Sequence, residues 1–166
     1  NNSGLRRLSA DNLTSLGTLV IDEYQVFNTL SLAKLKTVTG DVYFNYAGLN
    51  DLSGLPSLEE IGGSLTLTNM PNLNNIDALS ALATVQNLSV EGNPNLRSLA
   101  GLSTLATVTG DLRIFNNSRL GDVDGLSALT SVDGGLLVVL NPSLPDVNGL
   151  SRLSSVGADL TISDNY

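Results

Sequence analysis

The chain has 166 residues, a formal net charge of −8, and neither cysteine nor histidine. Those absences exclude disulfides, thiol chemistry, Ser-His-Asp catalysis and the usual zinc sites. The acidic balance argues against nucleic acid, and the longest apolar run, Leu136 to Leu140, is far short of the ~18 residues a membrane span needs, so no membrane insertion by this segment is expected.

Residues 1–18 carry Leu5, Leu8, Leu13 and Leu16 and read as an irregular first coil. From 19 to 166 the chain is regular. Pairs of the form apolar-x-apolar fall at Leu19/Ile21, Val42/Phe44, Leu65/Leu67, Leu88/Val90, Leu112/Ile114, Leu136/Val138 and Leu160/Ile162, at steps of 23, 23, 23, 24, 24 and 24. Self-similarity at this period is the mark of a solenoid of stacked leucine-rich-type coils. Each pair alternates with period two, which predicts a short strand with one buried face, and the stacked strands form one parallel sheet along one side. Behind each strand the apolar residues recur every three positions, as at Leu120, Val123, Leu126, Leu129 and Val132, which predicts arcs and 3-10-like turns on the opposite side. Gly101-Leu102-Ser103, Gly125-Leu126-Ser127 and Gly149-Leu150-Ser151 read as permissive corners with a serine to cap the short turn. The whole, residues 1–166, is expected to be a single repeat domain. It starts and ends inside repeats, as a piece cut from a longer array does.

Five residues after the first apolar position of each strand stand Asn93, Asn117, Asn141 and Asn165, whereas the earlier coils have Tyr24, Ala47 and Met70. An amide both donates and accepts, so these asparagines are expected to turn inward, satisfy turn backbone groups and stack into a ladder. A row of amides for sugar binding is the alternative.

The run V-x-G-D-L-x-I-x-x-N, from Val108 to Asn117 and echoed from Val132 to Asn141, resembles a leucine-rich repeat. The arrangement L-x-x-L-x-x-V-x-G-D-L-x-I, from Leu102 to Ile114, more closely resembles the receptor L-domain group. That group includes the ligand-binding domains of insulin- and epidermal-growth-factor-type receptors, fungal cell-wall proteins and many bacterial surface proteins. The resemblance implies a right-handed L-domain-like solenoid of about seven coils, and a cell-surface or extracellular recognition module. The missing terminal cysteines point to the microbial members. No ligand residues carry over, because the group shares core columns only.

Carboxylates are the remaining catalytic chemistry. Two of them must lie within about 5–9.5 Å for glycosidase work, but Asp22 and Glu91 sit three rungs apart, roughly 14 Å at about 4.8 Å per rung. Asp111 and Asp159, two rungs apart, read as solvated turn residues. No enzyme is expected. Asp122, Asp124 and Asp133 mimic the spacing of a calcium loop, but Val123 and Leu126 belong to core columns, so no metal or other cofactor is assigned. The sequons at Asn1, Asn12, Asn87 and Asn116 are about as many as chance supplies. The outward columns of the sheet are the place for a ligand. Tyr43, Thr66, Ser89, Arg113 and Leu137 lie in one, and Phe115 and Val139 in the next; the last four positions on 113–139 form an apolar group around one cation. Columns that vary from rung to rung suit an irregular partner, a protein or a glycan. Two further readings stand beside recognition or adhesion. One is a spacer that self-associates through its sheet face or coil ends; the remote one is a polysaccharide-active solenoid.

Overall fold

A computed structural model describes residues 4–22 and 25–165. The period-two alternation produces seven four-residue strands: β1 (Leu19–Asp22), β2 (Val42–Asn45), β3 (Leu65–Thr68), β4 (Leu88–Glu91), β5 (Leu112–Phe115), β6 (Leu136–Val139) and β7 (Leu160–Ser163). They stack in chain order into one parallel sheet. The register is strict: Leu19, Val42, Leu65, Leu88, Leu112, Leu136 and Leu160 stand directly beside one another. A slip of one residue would turn an entire apolar column to solvent, so burial itself holds the register.

The period-three segments close each coil behind the sheet. Four become 3-10 turns, at Asp77–Leu79, Ala100–Leu102, Asp124–Leu126 and Asn148–Leu150. Two-residue strands follow and pair from coil to coil in two further parallel sheets, one over residues 15–61 and one over 84–156. Between front and back lies a continuous core of Leu, Val and Ile. Each such side chain contributes about 1.5–3 kcal/mol when fully buried.

Two local expectations need correction. Gly101, Gly125 and Gly149 do not turn corners in the left-handed region; among the described glycines only Gly92 has positive φ. They sit inside the 3-10 turns, where a Cβ would collide with the carbonyl oxygens of Ile76, Leu99 and Val123 on the preceding coil. Their role is close approach. Ser103, Ser127 and Ser151 stand at the C-terminal ends of those turns, while at the N-terminal ends the first N–H is taken by Ser98, Asp122 and Asp146.

The three 23-residue coils are short in three different places. Core residues that stand three apart elsewhere are two apart at Leu30/Leu32 in the first coil and at Ala47/Leu49 in the second. In the third, only Gln86 and Asn87 separate Val85 from Leu88, where later coils insert three residues. At Leu30/Leu32 the period drops to two, and Thr29–Ser31 accordingly becomes a strand, paired with Arg7–Ser9. The N-terminal segment thus packs along the back of the solenoid and adds no strand to the main sheet. Asp11 fastens it: its carboxylate accepts from the Ser31 hydroxyl, from the Ala33 N–H at 3.3 Å and from the Ser9 hydroxyl at 3.2 Å. The Ser31 bond first, then the Ala33 N–H, hold this carboxyl below its ordinary pKa. Tyr24, at the ladder position of the first coil, lies outside the described residues, as does the Asn1 sequon. At the other end, Leu160 and Ile162 occupy inward columns yet are 55% and 45% exposed.

Candidate functional site

Every second strand residue points away from the core, and the register aligns these residues into two columns. One runs Val20, Tyr43, Thr66, Ser89, Arg113, Leu137, Thr161; the other runs Asp22, Asn45, Thr68, Glu91, Phe115, Val139, Ser163. All seven residues singled out in the sequence therefore share one face. Arg113 and Phe115 on β5 lie directly beside Leu137 and Val139 on β6. Phe115, Leu137 and Val139 are half-buried and Arg113 is exposed.

Arg113 is not a lone cation in that group. Its Nε donates to Glu91 Oε1 at 2.9 Å, and the Ser89 hydroxyl donates to the same oxygen at 2.6 Å. Partial burial pushes the Glu91 carboxyl upward, but the bonds from Ser89 and Arg113, with the guanidinium charge, outweigh it and leave the pKa below its ordinary value. A general acid needs the opposite shift. The apolar group is thus bordered by a neutralised ion pair. Further toward the N-terminus the second column is polar: Asn45 Nδ2 donates to Asp22 Oδ1 at 2.7 Å, and Asn69 Nδ2 to Asn45 Oδ1 at 3.3 Å.

At the starting ends of β5 to β7 the face has a depression of about 200 Å³, lined by Asp111, Arg113, Gly135, Leu137, Asp159 and Thr161 among others. Gly135, having no side chain, leaves a gap between the aspartates of the flanking coils. The Gly135 N–H donates to Asp111 Oδ1 at 2.8 Å.

Beneath the finishing ends of the strands runs a row of buried amides. Asn93, Asn117 and Asn141 are fully buried. The N–H groups of Met70, Asn93, Asn117 and Asn141 donate in turn to Oδ1 of Asn93, Asn117, Asn141 and Asn165, at 2.9–3.1 Å. The side-chain NH2 groups donate back to strand carbonyls: Asn93 to Leu67, Asn117 to Val90, Asn141 to Ile114 and Asn165 to Val138. These amides are used up within the fold, which leaves none of the three buried ones to a sugar.

The residue before each ladder position adopts a left-handed backbone: Tyr46, Asn69, Gly92, Asn116, Leu140 and Asp164 have φ between +51° and +65°. Leu140 is the site residue that sequence reasoning missed. It is 42% exposed and follows Val139 directly, so it extends the apolar group around the corner. Its signal was a leucine standing in a column otherwise held mostly by Asn, Asp and Gly.

Among the described residues no three of His, Cys, Asp and Glu gather closely enough to hold a metal ion, and no helix is long and apolar enough to cross a membrane. Asp122, first in the calcium-like spacing, instead accepts from the Ser98 hydroxyl at 3.1 Å and the Asp124 N–H at 3.3 Å. The family model of the receptor L domain matches residues 34–125, more than half of the chain. Neither a curated protein nor a solved structure matches it. Receptor L domains are non-enzymatic, ligand-binding modules. With the family match and a parallel solenoid in strict register, this chain belongs to the receptor L domain family.

Proposed function

We propose that the chain is a recognition or adhesion module, secreted or displayed at the cell surface, that binds a protein or glycan through the outer face of its sheet without catalysis. The observation that carries this reading is the block of Arg113, Phe115, Leu137 and Val139 on a face whose first four strands, Val20 and Tyr43 apart, carry only polar side chains. Apolar patches on an otherwise polar sheet face mark contact sites. Tyr43, Thr66 and Ser89 extend the same column and belong to the same surface. Family membership supports ligand binding in general; the location outside the cell and the choice of face are this proposal.

The test is the double substitution Phe115→Ser and Leu137→Ser, screened beside the unaltered chain on a glycan array and a displayed peptide library. Loss of every specific binder with an unchanged circular-dichroism spectrum is the expected result. Retention of the same binders at the same affinity overturns the choice of face.

A further inference from the structure

We infer that the corner ridge at the finishing ends of the strands is a protein-docking edge with Tyr46 and Leu140 as its two anchors. This rests on the recognition reading above and narrows the partner to a protein whose surface is basic and studded with apolar side chains. The ridge is the column of left-handed residues Tyr46, Asn69, Gly92, Asn116, Leu140 and Asp164. Asn, Asp and Gly take that conformation readily, whereas a bulky residue is held there against steric strain. Tyr46 and Leu140 are therefore the two expensive choices in the column. The fold covers only part of each side chain, leaving them 43% and 42% exposed. Strain kept with so much of the side chain in solvent points outward, to something that the side chains meet.

Their placement says what that something is. Four rungs separate the two anchors, roughly 19 Å at about 4.8 Å per rung, with the short side chains of Asn69 and Asn116 and bare Gly92 between them. A mono- or disaccharide does not span that distance; a polypeptide or a longer glycan does, and of the two the polypeptide brings apolar side chains to meet two hydrophobic anchors. Leu140 continues the surface of Phe115, Leu137 and Val139. Asp164 stands next along the ridge and the chain as a whole carries a net charge of −8, while Arg113 is neutralised by Glu91. A basic partner is complementary to that arrangement.

The experiment selects binders from a displayed library of roughly 15-residue peptides, long enough to reach about 50 Å when extended. It then measures each binder against the unaltered chain, Leu140→Asn, Tyr46→Asn, and the Phe115→Ser/Leu137→Ser pair. Peptides rich in Lys or Arg with interspersed apolar residues are expected, binding each corner variant about tenfold more weakly. Both corner variants should melt at an equal or higher temperature, an outcome that a merely structural role would reverse. Binders lost in the face variant but unaffected at Leu140 and Tyr46 would sink the ridge and leave the face reading standing. Binders insensitive to all four substitutions would sink both. Tight binding to a neutral glycan array, with no basic peptide selected, would overturn the protein assignment.

Discussion

The coils before Leu88 and those from Leu88 onward bury the same apolar columns, yet they satisfy the turn after the strand in different ways. In the early half Ala47 and Met70 fill the space below the corner with hydrocarbon, and the Ala47 N–H finds no acceptor among the described residues. From Met70, the last early rung, through the later half each rung's N–H meets the amide oxygen of the next, without a break to Asn165. The early coils also lose one residue each, at three different places, whereas the later ones are uniformly 24 long. Hydrocarbon columns have no direction, so they accept a coil that is shortened anywhere. A hydrogen-bonded ladder needs the same donor and acceptor at the same height on consecutive rungs. Uniform length and the ladder therefore belong together, and the apolar block of the sheet face lies on that uniform frame.

The largest effect that would break this comparison is at Asn117. Asn117→Leu strands the buried Asn93 N–H and removes the amide donor from the Val90 carbonyl, while the Phe115 carbonyl keeps the Gly92 N–H; the expected cost is about 3 kcal/mol in urea unfolding. Met70→Leu, in the same column of the early half, should cost under about 1.5 kcal/mol. Equal costs would mean that the amides are mere filling. Next comes Gly125→Ala, expected to cost about 2–3 kcal/mol because its Cβ meets the Leu99 carbonyl oxygen. Gly135→Ala, where the nearest atom is 3.5 Å away, should stay within about 0.5 kcal/mol. Leu140→Asn is expected to raise stability by about 1 kcal/mol, by relieving the left-handed leucine.

The smallest effect is on the acid side. Asp11 and Glu91 have folded pKa values below their ordinary ones. Each therefore contributes stability that is present above its ordinary pKa and is lost as pH falls through the lowered folded value. Melting temperature between roughly pH 5 and pH 3 should fall less steeply in Asp11→Asn and Glu91→Gln. The Glu91 share stays under about 1 kcal/mol, because solvent screens the pair. For Asp11 the loss should show first as faster hydrogen exchange around Ala10, whose N–H bonds the Ser31 carbonyl at 2.8 Å.

Much of the fold was legible because its signals are local and repeated. Leu112-x-Ile114 and its six counterparts announce strands, and the constant step fixes which residues become neighbours. The outward columns, Arg113 beside Leu137 and Phe115 beside Val139, follow from the same count. What stayed hidden depends on how coils touch. Gly125 reads as a corner when seen alone; only the carbonyl of Leu99 pressing on it from the previous coil shows why it is bare. Glu91 lies 22 residues from Arg113, and their pairing needs both the register and the side-chain reach to be known. Leu140 looked like the end of an apolar run, because the left-handed corner that makes it costly exists only after the strand has turned.

The account's central claim is that the coils from Leu88 onward form the more rigid frame. Residue-resolved native-state hydrogen exchange tests it most directly. The N–H groups of Asn93 and Asn117 should exchange only through global unfolding, while that of Ala47 exchanges through a smaller opening, with a protection lower by about tenfold or more. Equal protection at the three positions, or greater protection at Ala47, would contradict it.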